Sequence, residues 1–325
     1  MNTEATAGKL KAGLWWSHVP PQQRAAFLAM LAFFLLAPAA IYPVFLMKVM
    51  CFGLFACAFN LLLGYVGLLS FGHAMFLGMG GYTAAHAAKV WGLTPELAIL
   101  AGAAAACALG LVSGLIAIRR QGIYFAMITL ALAQMIYFFC VQAPFTHGED
   151  GIQAVPRGKL FGLVNLSDIR AMYALVFAGF FAGFLLIYRV IHSPFGQVLK
   201  AIRENEARAT SLGYDVDRYK LLAYVLSATL SGVAGAMNAL VYQLAALNAV
   251  HWTMSGEVVL MTLVGGLGTV FGPVAGALVV LAMENYLAQL GAWVTIVQGV
   301  IFVVCVLTFR RGIVGELGRL LKKPL

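Results

Sequence analysis

The sequence predicts an all-α polytopic membrane protein with about eight to ten transmembrane helices, some broken by glycine or re-entrant. Three observations carry this expectation. The 325-residue chain is 62% hydrophobic and only 10% charged, whereas soluble domains carry about a quarter charged residues. Its apolar residues lie in long blocks, not in the apolar/polar alternation of a transmembrane barrel. Glycine-interrupted segments occur in both halves of the chain, a pattern compatible with an inverted repeat.

The apolar blocks fall near 24–37, 44–64, 67–88, 95–118, 122–143, 171–191, 219–246, 257–287 and 292–309. Most hold the roughly 20 residues that a helix needs to cross about 30 Å of hydrocarbon. The first is short and ends at Pro38. It reads as an uncleaved span with Trp15 and Trp16 near the membrane surface, because the polar stretch before it is long for a secretory leader. Thr94-Pro95-Glu96 has the pattern of a helix start: cap, proline in the first turn, acid beside the dipole. Ser193-Pro194 and Asp217 are expected to start later helices in the same way. Cys51, Cys57, Cys107, Cys140 and Cys305 lie in or beside apolar blocks with no metal-like spacing, so they read as packing residues.

The net charge of +9 does not point to nucleic acid, because the basic residues flank apolar blocks as cytoplasmic loops do. They gather in an arm (Lys9, Lys11, Arg24), a turn (Arg119, Arg120), a polar island (Arg189, Lys200, Arg203, Arg208, Arg218, Lys220) and a tail (Arg310, Arg311, Arg319, Lys322, Lys323). The organisation that follows is a cytoplasmic arm over 1–23, a membrane domain over 24–309 and a cytoplasmic basic tail over 310–325. Within the membrane domain, 144–170 is an extracytoplasmic loop and 193–217 a cytoplasmic helical region. Parity tests this. Single crossings throughout would leave the tail outside. The conflict disappears if the 257–287 block enters and returns, breaking at Gly265-Gly266-Leu267-Gly268-Thr269-Val270-Phe271-Gly272-Pro273. Backbone freed at such a break has to be buried in protein or line a cavity.

The polar island, 193–214, reads as one short amphipathic helix. Phe195, Val198, Leu199, Ile202 and Ala209 make its apolar stripe, Lys200, Arg203, Glu204 and Arg208 lie mostly on the other side, and Gly213 closes it. Such a helix either lies in the lipid headgroups or docks a soluble partner; Glu204 and Glu206 count against the first.

The glycine-rich segments, from Gly64 to Tyr82 and from Gly265 to Pro273, serve either close helix packing or a substrate path lined by unwound backbone and half-helix ends. The candidate path residues are Ser70, Gly72, His73, Gly78, Gly81 and Tyr82 in the first half. In the second they are Gly265, Gly266, Gly268, Gly272 and Pro273. His73 is either a structural hydrogen-bonding residue or a proton or substrate contact. Lys48, His86 and Lys89 are explained by snorkelling from helix ends. Glu257 and Glu284 flank the broken block and belong near the surface or against a wet cavity. Asn60, Gln134, Asn238, Gln243 and Gln298 read as interhelical glue. No phosphate-binding loop, nucleophile motif or His/Cys/acid cluster is present in the sequence, so no catalytic residue, metal or cofactor is assigned to this chain.

These motifs resemble one family. Gly64-Tyr65-Val66-Gly67, the run Leu69-Ser70-Phe71-Gly72-His73-Ala74-Met75-Phe76, and Gly80-Gly81-Tyr82-Thr83 are similar to the signature of branched-chain amino-acid ABC-importer permeases. So are Gly122 to Met127, Gly148-Glu149-Asp150-Gly151, the island Ala201 to Ala209 with Gly213, and Gly265 to Thr269 with Gly272-Pro273. The match runs over roughly 40–315. It implies a bacterial inner-membrane subunit, not itself an enzyme, with both termini cytoplasmic. A paralogous permease would pair with it, two ABC ATPase subunits would bind ATP, and an extracytoplasmic solute-binding protein would deliver a branched-chain or related hydrophobic amino acid. Relatives of this type also carry urea, short amides or aromatic acids. The resemblance places ATPase coupling at Arg203, Glu204, Glu206, Ala207, Arg208 and Gly213. Arg208 departs from the family loop, which has a second alanine there and a closer glycine. Two readings outside the family remain: an ion-coupled secondary transporter and a membrane scaffold.

Overall fold

A computed structural model describes residues 21–162, 164–287, 293–308 and 312–320. Residues 1–20 of the expected 1–23 arm, with Trp15 and Trp16, lie outside the described residues, as do Arg310, Arg311 and the end of the tail; residues 21–23 belong to the first helix. So do the side chains of Gln298 and Cys305. The chain is helical with minor strands, as the composition predicts.

Helix α1 (Pro21–Leu36) ends in a tight turn over Ala37–Ala39. Helix α2 (Pro43–Asn60) widens into a π-helical stretch, Leu61–Val66. Then come α3 (His73–Lys89), α4 (Pro95–Ala117), α5 (Ile123–Gln142) and α6 (Ile169–Ile191). Two short polar helices, α7 (Pro194–Glu204) and α8 (Glu206–Ser211), precede the long α9 (Val216–Tyr242). Helices α10 (Trp252–Gly265), α11 (Gly272–Leu287), α12 (Trp293–Thr308) and α13 (Gly312–Leu320) complete the order. Among the described residues, six helices are long and apolar enough to cross a membrane: α1 with its turn, α2 with its π stretch, α4, α5, α6 and α9. Helices α3, α10, α11 and α12 are shorter, at 17, 14, 16 and 16 residues.

Helix α2 is apolar on every side, and a helix of that kind belongs inside a bundle. It packs on α6, α9, α10 and α11, and 14 of its 18 residues are buried. Helices α4 and α5 turn Leu111, Leu115, Met127 and Phe138 outward. Lipid supplies no hydrophobic drive between helices, so close packing has to. Small residues provide it where α3, α4 and α9 meet. A side chain at Gly80 would strike the Gly232 backbone, one at Gly102 the Gly80 carbonyl, and one at Gly235 the Leu77 carbonyl.

The bundle has two distinct ends. At one, β1 (Ile152–Gln153) pairs antiparallel with β4 (Leu244–Ala245), and β2 (Lys159–Leu160) pairs with β3 (Val164–Asn165). Lys89 Nζ donates to Gln153 O at 2.7 Å, and Arg157 Nη2 donates to Val241 O at 2.7 Å. At the other end lie α7, α8, the α4–α5 turn and the α10–α11 turn. Helices α10 and α11 form a hairpin at the expected break. Gly266 turns it with φ 124°, beyond the reach of ordinary side chains, and α13 returns to pack on α10 and α11.

Several expectations are corrected. The 193–214 island is two helices, not one. Asn205 breaks it with an extended backbone (φ −158°, ψ 97°), and its side chain caps α8 by accepting from Arg208 N. Asp215, not Asp217, caps α9, while Ser193 does cap α7. Thr94 occupies a cap position but makes no capping hydrogen bond. Gly78, Gly80 and Gly81 do not unwind α3, which runs through them intact; the break in the first half is the α2–α3 connection. Lys48 is not merely snorkelling, because its Nζ lies 3.2 Å from Glu284 Oε2.

Candidate functional site

The polar island is built to expose one face. Leu199, Ile202 and Ala209 are buried, with Phe195 stacked on Tyr219. Gly213, at φ 88°, ends α8 so that its N–H reaches Thr210 O and the Tyr214 N–H reaches Ala209 O. That double closure fixes the exit of the helix. Glu204, Ala207 and Arg208 face outward, and Leu212 is 70% exposed.

Two of the expected coupling residues also bond to the bundle, Arg203 from an exposed position and Glu206 from a partly buried one. Arg203 Nη1 donates to Gly64 O. That carbonyl lies at the C-terminal end of the α2 π stretch, where carbonyls lack intrahelical partners and a cation is favoured by the helix dipole. The Arg203 stem lies along Gly67, where an added Cβ would sit 3.1 Å from its Cγ. A Cβ on Gly268, in the hairpin turn, would sit 3.3 Å from Arg203 Nη1 and 3.4 Å from Gly64 O. Asn60 closes the same junction: its Nδ2 donates to Thr269 O at 2.9 Å, and its Oδ1 accepts from Gly268 N at 3.0 Å. One arginine and one asparagine therefore join α7, the end of α2 and the α10–α11 turn.

Glu206 makes the second anchor. Its Oε2 lies 2.7 Å from Lys220 Nζ of α9, and its Oε1 accepts from Gln121 Nε2 at 2.7 Å. The Lys220 side chain is 2% exposed, so the glutamate is the partner that makes a buried ammonium tolerable.

The remaining candidate residues fall into three groups. Ser70, His73 and Tyr82 are fully buried core. His73 Nε2 lies 2.8 Å from Ser227 Oγ, which donates to Ala58 O at 2.5 Å, and its ring meets Phe59 and Phe76 edge to face. That is the structural reading of His73, tying α3 to α9 and α2. Gly72 abuts the Thr129 carbonyl. Gly78 and Gly81 share a cavity of about 140 Å³ with Asn238, Tyr242 and Ala246. Gly265, Gly266, Gly268, Gly272 and Pro273 form the hairpin turn at the other end. The two glycine segments thus meet at Gly64 and Gly268. Among the described residues, no group of three or more His, Cys, Asp or Glu is placed to hold a metal.

Sequence reasoning passed over Thr129, Ser227 and Ser255. Phe71 N donates to Thr129 Oγ1 at 3.2 Å and Ala74 N to Ser255 Oγ at 2.9 Å, which satisfies backbone groups at the start of α3 from distant helices. Hydroxyls in apolar blocks were the only signal.

The family model described as branched-chain amino acid transport system / permease component matches residues 42–306. The chain belongs to this family. Among curated relatives of this permease component, the high-affinity branched-chain amino acid transport system permease protein LivM of Escherichia coli (strain K12) is 24% identical over 277 residues, covering 78% of this chain and 65% of the relative. The LivM of Salmonella typhimurium is 25% identical over 278 residues, with the same coverages of 78% and 65%. The ribose import permease protein RbsC of Bacillus subtilis (strain 168) is 27% identical over 245 residues, 68% of this chain and 70% of the relative. This permease component spans about 65% of the length of the LivM relatives it matches. No solved structure matches the chain.

Proposed function

We propose that the chain is the membrane-spanning permease subunit of an ABC importer for branched-chain or related hydrophobic amino acids. ATP is bound and hydrolysed by two partner ATPase subunits, not by this chain. The ATPases dock on the outward face of α7 and α8, through Glu204, Ala207, Arg208 and Leu212. A paralogous permease completes the path, and an extracytoplasmic solute-binding protein supplies the solute. The protein sits in a bacterial inner membrane with the α7–α8 end and both termini in the cytoplasm, in keeping with the basic flanks. Solute crosses by alternating access.

The observation that carries this reading is the junction at Arg203. Helix α7 of an exposed polar pair is hydrogen-bonded through Arg203 to Gly64 O, and Asn60 carries that junction on to Gly268 and Thr269 of the hairpin turn. By this route force applied at the island reaches both glycine-broken segments. Similarity to a ribose import permease favours a second reading, in which the same machinery carries a small neutral solute. Co-purification of an ATPase with the wild-type chain, and its loss in Arg208→Glu/Leu212→Glu, is the expected result for docking. An ATPase that stays bound to that variant overturns the docking face. ATP hydrolysis stimulated by amino acids, ribose, urea and acetamide in the reconstituted complex separates the two substrate readings. Uptake that runs on an ion gradient without ATP removes both.

A further inference from the structure

At the end of the bundle opposite α7 and α8, residues 151–157 are fastened across the segment that follows α9, and the importer reading leaves this strap without a task. The segment is one wall of the cavity of about 140 Å³. Leu244, Ala245, Ala246 and Ala249 line that wall, while Gly78 and Gly81 of α3 and Asn238 and Ala239 of α9 line the cavity from within the bundle. Asn238 Oδ1 is buried with no hydrogen-bond partner among the described residues, an uncommon state for a buried acceptor. Sliding α3 over α9 is sterically resisted, because a Cβ on Gly80 or Gly235 would strike backbone of the facing helix. The wall free to move is therefore the segment after α9.

The strap holds that wall by backbone pairing and by two cations. Ile152 pairs with Ala245 and Gln153 with Leu244, and Val155 N donates to Gln243 O at 3.0 Å. Arg157 donates from Nη2 to Val241 O at 2.7 Å and from Nε to Leu240 O at 3.4 Å. These are among the last carbonyls of α9, which have no partner within the helix and favour a cation. Lys89, at the end of α3, donates to Gln153 O at 2.7 Å. Both cations bond neutral backbone carbonyls, so their release to water strands no opposite charge. Ile152 and Val155 are buried and seat the strap. Ala154 and Gln243 are both left-handed, at φ 53°. Such backbone is costly for residues with side chains, and it gathers at clamps and switches. The two lie at the same end of the two-residue ribbon, beside the Gln153–Leu244 pair, where α9 gives way to the cavity wall.

From this we infer that the 151–157 strap is a latch, positioned by Arg157 and Lys89, that keeps the cavity closed toward the extracytoplasmic side. Parting β1 from β4 frees the wall to swing about Gln243 and opens the cavity. Arg157 and Lys89 act through the backbone they hold, so they are positioning residues and need not touch the solute. The inference rests on the importer reading for its place in transport, and it adds the outer barrier of the path to that reading.

The test uses the complete reconstituted importer in proteoliposomes, with radiolabelled L-leucine, ribose and urea as uptake probes. A second readout is the rate at which a membrane-impermeant methanethiosulfonate labels a reporter, Ala239→Cys, during ATP turnover, against the chain without the reporter. Gln153→Cys/Leu244→Cys sets two thiols directly opposite each other across the ribbon, within reach of a disulfide, at exposed positions. Oxidation, or a short bifunctional thiol reagent, is expected to cut uptake and reporter labelling at least tenfold, and reduction to restore both. Each single-cysteine strand variant, treated alike, is expected to stay at the wild-type level. A long flexible cross-linker at the same pair permits parting and is expected to leave both readouts near wild type. Arg157→Gln loses a charge-assisted hydrogen bond and is expected to label roughly tenfold faster, whereas Arg157→Lys keeps a cation for the same carbonyls and is expected to label as wild type does. Uptake and labelling unchanged by the short cross-link overturn the latch and leave the importer standing. Uptake lost with labelling unchanged also overturns it, because the strands then act elsewhere than over the cavity. Wild-type labelling in Arg157→Gln removes that residue from the latch. ATP-independent uptake, or uptake of no probe, fails the importer reading itself, and the labelling readout still decides whether the strap closes the cavity.

Discussion

Removing the Glu206 carboxylate is expected to loosen α8 from α9. Lys220 Nζ lies 2.7 Å from Glu206 Oε2, with the two side chains 2% and 31% exposed. At that separation the gross attraction is about 6 kcal/mol for an effective dielectric near 20. Desolvation of the ammonium offsets most of this, so the net worth of the intact pair is small. Breaking it is a different matter. Glu206→Ala strands an ammonium in a nearly dry place, which usually costs about 3–5 kcal/mol. Water can follow through the space left by a half-exposed glutamate, which lowers the expected loss to about 2–3 kcal/mol. Lys220→Met/Glu206→Gln removes both charges at similar volume and is expected to lie within about 1 kcal/mol of wild type. Hydrogen exchange of amides 206–214 reads the local opening free energy. The single variant is expected to exchange roughly 30- to 150-fold faster there, at a factor of ten for each 1.4 kcal/mol. Wild-type exchange in Glu206→Ala, or a double variant as labile as the single one, refutes the reasoning.

Arg203→Ala removes a charge-assisted hydrogen bond worth about 1.5–3 kcal/mol; in the reconstituted importer, ATP hydrolysis is expected to persist while uptake falls at least tenfold. Equal loss of both, or of neither, speaks against transmission through Gly64. Gly235→Val drives a side chain into the Leu77 carbonyl and is expected to abolish accumulation of folded protein in the membrane. Gly256→Ala, where an added Cβ meets nothing within 4 Å, is expected to accumulate normally. Gly213→Ala has open space but a φ of 88°, so protection of amides 206–214 is expected to drop by about 1–2 kcal/mol, with Gly213→Asn losing less.

The features legible in the sequence were those with a local signature. The α10–α11 hairpin followed from parity together with the glycines between 265 and 273. The buried stripe of Leu199, Ile202 and Ala209 followed from helical spacing, and the left-handed Gly213 from its place after a helix. What escaped was set by contacts across the chain. Arg203 and Gly64 are 139 residues apart, and Lys48 and Glu284 are 236 apart. No pattern within either segment announces its partner. The Asn205 break was hidden for another reason. Asparagine tolerates a helix interior poorly but caps a following helix well, and the flanking apolar spacing continued on both sides, so periodicity alone joined what the cap divides. Ser227, Ser255 and Thr129 were masked by blocks whose overall hydropathy they scarcely change.

That break alters how a push on the island can travel. Helix α7 is tied through Arg203 to the end of α2, which Asn60 bonds to the hairpin turn, whereas α8 is tied through Glu206 to α9 and the α4–α5 turn. The second set belongs to the glycine-packed body of α3, α4 and α9, where added side chains collide with backbone and sliding is sterically resisted. In the first set, the junction between α7, Gly64 and the hairpin turn is made by side-chain hydrogen bonds from Arg203 and Asn60, which can be exchanged without repacking the core on which α2 lies. A single rigid helix would fix these two bodies to each other. Two helices meeting at an extended Asn205 allow α7 to move with the Gly64–Gly268 junction while α8 keeps its seat on α9. The consequence is specific. Asn205→Ala, which removes the α8 cap at a cost of about 1 kcal/mol and favours helical continuation, should impair transport more than it impairs ATPase docking. A proportionate fall in both would place the flexible point elsewhere.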